Sequence, residues 1–513
     1  MIIVYHKENK VVEVEFEKKT ICVSQMNIAK TLFEMAALHP QSLIVWCHID
    51  FRSSLNVSKF QDIFHHSKIM ASYSPFFKTF LPDSIGYVEE SPFIKINRKV
   101  NYPTWQTSSW VGGLNAAVLV ALNGKIKATF NFDYFLHSLA KLAMETGLFC
   151  YSDPTLLIDN STELKEKRNN SYILFRFVKQ HYRTRWVFLL FMNLLLYKRK
   201  FAIFPLIHCF IYRRRKLADD SLEQIQVQST KNIFSTKTID VIIPTIGRKQ
   251  YLYDVLKDLS VQSHLPKNVI IVEQNTNVES SSELDYLKEE NWPFGIKHIF
   301  THQPGACNAR NVALKEVSND WVFMADDDIR IKESFLKEAF VQINKFGLDE
   351  ITFACNEAMY DNSKENYSNI QWETFGSGCS IVKRQSIENI RYRKGFEFGY
   401  GEDTDFGMQL RNKGVDIIYF TQPEILHLKA PIGGFRTKPV LEWQNDSIQP
   451  KPSPTVMLYK QLHLTEEQIN GYKMILFFKF YKVQNTKNPV RYYKNFQKQW
   501  KQSLYWANQL ITK

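Results

Sequence analysis

The chain has 513 residues, 44% of them hydrophobic and 23% charged, which excludes a disordered or low-complexity protein and calls for two or three domains rather than one core. A formal net charge of +13 predicts an anionic partner such as a membrane surface, a phosphorylated substrate or nucleic acid. Seven cysteines, odd in number and without CxxC spacing, argue against a disulfide framework or a zinc site and predict a reducing compartment.

The first segment, MIIVYHKENKVVEVEFE, alternates as a strand does and lacks the charged-then-apolar build of a signal peptide. No run of 18 or more apolar residues occurs, so no transmembrane helix is predicted. Between Lys167 and Lys216 stand thirteen Lys or Arg and no Asp or Glu. Two apolar runs lie inside this span, WVFLLFMNLLLY (186–197) and FAIFPLIHCFIY (201–212). Lys198-Arg199-Lys200 separates them and Arg213-Arg214-Arg215-Lys216 closes the second. Each is too short to cross a bilayer. The pattern suits helices lying in the interface of an anionic membrane, and equally a pair of buried connecting helices with solvated basic ends. Nucleic acid drops out as a partner, because no helix-turn-helix, zinc or aromatic RNP-type signature accompanies the charge.

After a polar linker, IDVIIPT (239–245) is a short β-branched run of the kind buried on both faces of a parallel sheet. Leu252, Val255, Leu256 and Leu259 follow at helical spacing, and NVIIV (268–272) repeats the buried-strand pattern before ending in Glu273. Strand, helix and strand make a βαβ unit, which places ligands at the carboxyl ends of the strands. A third strand, Ile296–Phe300, leads into HQPGACNARN and a helix from about Ala306. The fourth, Trp321–Met324, delivers three adjacent acids, Asp326, Asp327 and Asp328. Three carboxylates at that edge repel one another unless a cation neutralises them, and Mg²⁺ or Mn²⁺ takes oxygen ligands and shares them with phosphate. An exposed acidic turn or a helix cap is the plainer explanation for such a run.

Six stretches in order, IDVIIPT, VIIVEQN, GACNARN, FMADDDI, FGSGCSIVKR and GYGEDTDFGMQLRNKG, cover roughly residues 238–436. Together they resemble a GT-A-fold glycosyltransferase of the family 2 type, which implies an α/β, mostly parallel Rossmann-like sheet. The resemblance also implies transfer of a sugar from a nucleotide-sugar, usually UDP-linked, with Mn²⁺ or Mg²⁺ as cofactor. It implies that Pro244, Thr245, Glu273, Arg310, Asp326 and Asp327 surround the donor, with Glu273 on the nucleobase and Arg310 near the diphosphate. Asp326 and Asp328 match the outer acids of the DxD motif and are the implied metal ligands, with His427 of PEILHLK as a third. Asp327 occupies the variable middle position of that motif. Gly376-Ser377-Gly378 and Glu402 match the acceptor side, and Asp403 of the ED pair matches the general base of an inverting transfer. The GGFR turn (433–436) matches a loop over the donor.

An internal likeness runs through the first part of the chain. LIVWCHIDFR (43–52) parallels WVFMADDDIR, with His48-Ile49-Asp50 at the acidic motif. VGGLNAAVL (111–119) parallels FGSGCSIVK, and Phe132-Asp133 parallels Glu402-Asp403. Too few residues precede His48 for a complete nucleotide-binding half.

The predicted organisation is a degenerate GT-A-like domain over 1–163, a basic amphipathic helical linker over 164–237, a catalytic domain over 238–440 and a C-terminal helical extension over 441–513. The implied function is sugar transfer to a saccharide or lipid-linked acceptor in surface-polysaccharide assembly, in the cytoplasm or peripherally on the inner face of a bacterial plasma membrane. The alternatives are a sugar nucleotidyltransferase, for which PTIGRKQYL is a poor triphosphate-gripping loop, and a non-catalytic scaffold, against which the intact acids speak.

Overall fold

The computed structural model describes residues 1–21, 26–76, 80–158, 170–357, 369–431, 440–484 and 488–512. The chain folds into two compact units. The first comprises residues 1–231 with two later insertions, a short strand near 370 and residues 464–482, and the second comprises the rest from Asn232 onward.

The first unit is built on β1 (Ile2–Lys7), β2 (Lys10–Phe16), β3 (Lys19–Ile21), β4 (Leu43–His48), β5 (Ile69–Tyr73), β6 (Tyr102–Pro103), β7 (Val111–Asn115) and β8 (Phe149–Ser152). Their order across the sheet is β3-β2-β1-β4-β7-β5-β8-β6. The second unit carries β9 (Ile239–Ile246), β10 (Asn268–Gln274), β11 (Gly295–Thr301), β12 (Trp321–Ala325), β13 (Ile329–Arg330) and β14 (Glu350–Asn356). β15 (Ile370–Gln371) belongs to the first unit, where the Gln371 amide accepts from Cys150 N. β16 (Cys379–Lys383) and β17 (Ile418–His427) complete the second sheet, ordered β11-β10-β9-β12-β16-β14-β17-β13.

Buried, β-branched sequence places β9, β10 and β12 at the centre, where Ile239, Val241, Ile243, Val269, Ile271, Val322 and Phe323 are fully covered. β11, β10, β9 and β12 run parallel, so their carboxyl ends line one edge. The helix Lys249–Ser260 covers this sheet with Leu252, Val255, Leu256 and Leu259. The helix Phe335–Phe346 ends at Gly347, whose φ of 67° is a left-handed conformation that glycine adopts without steric cost.

The two sheets share a pattern. β1-β4-β7-β5-β8 and β9-β12-β16-β14-β17 have the same order and the same parallel or antiparallel sense at every step. They differ at one side, where the antiparallel strands β2 and β3 stand in place of the parallel pair β10 and β11.

The ladders also correct one detail of the sequence alignment. Val111 pairs with Cys47 and Cys379 pairs with Ala325, so Val111 corresponds to Cys379 and not to Phe375. Ser108-Ser109-Trp110 thereby falls opposite Gly376-Ser377-Gly378. Glycines in both stretches suggested the wrong register. A side chain on Gly112 would strike the Trp46 ring, the Ala71 carbonyl and Ser72, so that glycine serves packing. The helices Ser171–His181 and Arg185–Lys198, inside the span expected to be a linker, bury Leu174, Phe175, Phe177, Val178, Val187, Leu190 and Leu194 in the first unit's core.

Candidate active site

Three acids leave the end of β12, and each meets a different environment. Asp326 is partly exposed and accepts a hydrogen bond at 2.9 Å from Arg310 Nη2. Asp327 is buried and accepts from Thr245 Oγ1 at 2.7 Å and from Arg248 Nη1 at 2.5 Å. Burial pushes its carboxyl up to about 6, against the pull of Arg248 and Thr245. Asp328 is also buried. It accepts from Ala430 N at 2.9 Å, with Arg248 Nη1 at 3.1 Å and His427 Nε2 at 3.3 Å. Burial would raise the Asp328 carboxyl, but His427, Arg248 and the Ala430 N–H outweigh it and hold it below the usual range. The repulsion built into the run is therefore offset by one guanidinium wedged between two of its members.

Asp326, Asp328 and His427 each offer one ligand atom, and these atoms lie within 4.8 Å of one another. Two carboxylates and an imidazole that converge in this way fit a Mn²⁺ or Mg²⁺ ion. Hydrogen bonding to Asp328 raises the His427 pKa, so proton and metal would compete for the same imidazole. Asp327 stands apart from this set, turned toward Thr245 and Arg248.

The residues expected on the donor side sit at the same sheet edge. Pro244 and Thr245, just before the end of β9, lie opposite Val272 and Glu273 of β10. Glu273 is buried and receives His298 Nε2 at 2.9 Å and Glu283 N at 3.1 Å. Burial pushes Glu273 up, but His298, Ser282 and the Glu283 N–H together hold it below the usual carboxylate range. Arg310, in the helix Ala306–Lys315, is buried, and burial's tendency to discharge it is overcome by Asp326 and further acids of the site, so its pKa is raised.

Around Gly376-Ser377-Gly378 the packing leaves room only for small residues. A Cβ on Gly378 would lie under 3.0 Å from all three Asp326 carboxyl atoms, and one on Gly376 would strike Cys379 Sγ. Ser377 Oγ donates to Asp403 and receives Tyr392 Oη at 2.7 Å. Asp403 and Glu402 open the helix Glu402–Asn412. Burial raises the Asp403 carboxyl, opposed by Arg310 and Ser377. Glu402 is pushed up to about 7, first by burial and then by the neighbouring Asp403 charge. Asp405 is fully buried and committed elsewhere, to His463 at 2.6 Å, Gln409 at 2.9 Å and Arg393.

Sequence reasoning missed three residues that shape this site. Arg248 lies four residues past the strand-end Pro244, on the edge where ligands dock, and that position was the available signal. Tyr392 orients Ser377 through its hydroxyl. Glu397 accepts from Cys307 N at 3.0 Å and Asn308 N at 2.9 Å, capping the helix that carries Arg310. No local pattern flags either of the last two. The GGFR turn lies outside the described residues.

Residues 240–396 match the family model for glycosyl transferase family 2, and most of that segment lies in the second unit. Among solved structures, S. aureus TarS 1-349 in complex with UDP-GlcNAc is similar at 16% identity and a TM-score of 0.34, over 51% of this chain and 71% of that one. The same fragment in complex with UDP is 20% identical over 37% of this chain and 59% of that one, with a TM-score of 0.30. Against the longer TarS structure the match is 20% identical and spans 37% of this chain but 36% of that one, with a TM-score of 0.30. No curated protein matches the sequence.

Proposed function

We propose that the second unit performs an inverting, metal-dependent transfer from a UDP-sugar to a saccharide or lipid-linked acceptor, in surface-polysaccharide assembly at the inner face of the plasma membrane. The observation that carries this reading is the placement of Asp403. Its carboxylate is held by Ser377 and lies in the fields of Arg310 and Asp326, so an acid on the acceptor side faces the donor-side charges.

In this reading Glu273 binds the nucleobase, Pro244 and Thr245 border it, and Arg310, here paired with Asp326, would pair with the diphosphate. Asp326, Asp328 and His427 would hold the Mn²⁺ or Mg²⁺, which when bound supplies positive charge to the leaving diphosphate. Asp327 keeps Thr245 and Arg248 in place. Gly376 and Gly378 keep the acceptor floor low, and Glu402 lines it. Asp403 removes the proton from the attacking hydroxyl on the face opposite the leaving group. Ser377 fixes the rotamer of that base.

The first unit is read as a silent copy. Its position equivalent to Asp326 is His48, whose ring lies 4.7 Å from Trp110 and 5.5 Å from His6. His6 in turn packs on Phe132 at 5.3 Å. Rings stand at the positions of Asp326 and Glu402, held by His48 and Phe132, while Asp50 and Asp133 keep carboxylates at the positions of Asp328 and Asp403.

A screen of nucleotide-sugar donors by nucleotide release, with and without Mn²⁺, tests the reading, and the anomeric configuration of the product reports inversion. Asp403→Asn should lower transfer by about 10²–10⁴-fold while donor affinity changes little. Near-normal transfer by that variant, or a product of retained configuration, would refute the assignment.

A further inference from the structure

We infer that the face formed by residues 188–216 is a membrane-docking wedge for an anionic phospholipid bilayer. It rests on the reading of the enzyme as working at a membrane, but on none of the transfer chemistry. The helix Arg185–Lys198 is apolar all round. Val187, Leu190 and Leu194 enter the first unit's core, while Phe188, Leu195, Leu196 and Tyr197 are exposed. The following segment repeats the division. Ala202, Leu206 and Cys209 are buried, and Phe201, Phe204, Ile207 and Ile211 are 67%, 73%, 63% and 68% exposed at spacings of three or four residues.

Ring contacts join the two segments. Phe188 lies 5.8 Å from Phe210 and Phe191 lies 5.8 Å from Phe201, which brings the two segments side by side. A soluble helix turns a polar face to water, and an exposed apolar patch rimmed by polar groups marks an interaction surface. Here the rim names the partner. Arg199, Lys200, Arg213, Arg214 and Lys216 border the patch and are exposed. The two apolar runs contain no Asp or Glu. Cations around exposed phenylalanines match an interface of acyl chains beneath anionic headgroups. The helix of 14 residues is about 21 Å long, shorter than the ~30 Å hydrocarbon core, and no helix of the described residues is long and apolar enough to cross a membrane. The wedge therefore lies in the interface plane.

Flotation of the full chain with vesicles of phosphatidylcholine, alone or mixed with phosphatidylglycerol, reads the inference directly. Wild type should float with the anionic vesicles and lose binding in high salt. Each Arg→Gln or Lys→Gln change among Arg199, Lys200, Arg213 and Arg214 should weaken binding about fivefold. The pair Phe204→Glu and Ile207→Glu, both at exposed positions where folding is little affected, should weaken it at least about tenfold. Nucleotide release in free solution should stay at the wild-type level in all these variants, and that separate readout follows the transferase reading. Equal flotation with neutral vesicles, wild-type flotation by the double variant, or a dimer that the double variant disperses while wild type fails to float would each overturn the inference.

Discussion

Replacing Gly378 by Ala strikes Asp326, in the proposed donor site, through a single methyl group. The added carbon would lie under 3.0 Å from Asp326 Cγ and both carboxyl oxygens, where ordinary contact begins at 3.4 Å. Gly378 sits just ahead of β16, and Ala325 opposite Cys379 fixes the start of the acidic run, so the backbones have little freedom to part. The Asp326 carboxylate must swing away, and its bond to the buried Arg310 breaks. Breaking a fully buried ion pair costs about 3–5 kcal/mol. Asp326 keeps 35% of its side chain exposed, so solvent screening reduces the figure to about 1–3 kcal/mol. Urea unfolding should register that loss, and Mn²⁺ titration followed by electron paramagnetic resonance should show weakened binding, because one of the three converging ligands has moved. Gly376→Ala is the control, since its methyl meets Cys379 and Thr352 and no acid. It should cost stability and leave the metal titration alone. Unchanged metal and UDP binding in Gly378→Ala would refute the reasoning.

Arg248→Met leaves Asp327 and Asp328 buried without the guanidinium between them. The metal-free variant should melt several degrees lower, and Mn²⁺ should raise its melting temperature more than it raises that of wild type. Equal increments would show that the arginine and the cation do not share a role. Glu350 is buried, its carboxyl pushed up to about 8 by desolvation. The unfolded chain ionises near 4.5 while the folded one stays protonated, so stability present below 4.5 is lost as pH rises toward 8. Glu350→Gln should remove that decline, which at its steepest is about 1.4 kcal/mol per pH unit; parallel curves for variant and wild type would count against it. His48→Ala and Asp50→Ala should leave turnover near wild type, and a transfer activity lost with Asp50 but surviving Asp403→Asn would reveal a second catalytic centre.

The parallel half of the second sheet was legible because strands buried on both faces announce themselves as unbroken β-branched runs, as IDVIIPT and NVIIV do. The acidic run was legible for the same reason, since its position after such a strand told more than its composition. What stayed hidden depends on contacts distant in sequence. Glu397 meets Cys307 and Asn308 some ninety positions away, and no local pattern encodes a partner at that range. The register between the two halves was misjudged for a related reason. A glycine pair looks the same whether it admits a ligand or a tryptophan ring, and only the ladder against β4 distinguishes them. The helical span 171–216 was ambiguous by sequence because apolarity on every side of a helix leaves open which side the core takes.

Glu397 has a consequence for redesign. It belongs to the loop that leads into the helix of Asp403, yet both its oxygens rest on the first turn of the helix bearing Arg310. Arg310 and Asp403 are thus mounted on a common bracket. On the proposed reading, a substitution meant to retune donor preference by shifting the helix Ala306–Lys315 would carry Asp403 along with it. New donors would be admitted at the expense of the angle at which the acceptor is deprotonated. On the proposed reading, donor preference is better altered in side chains around Glu273 than by moving the backbone that joins the two helices.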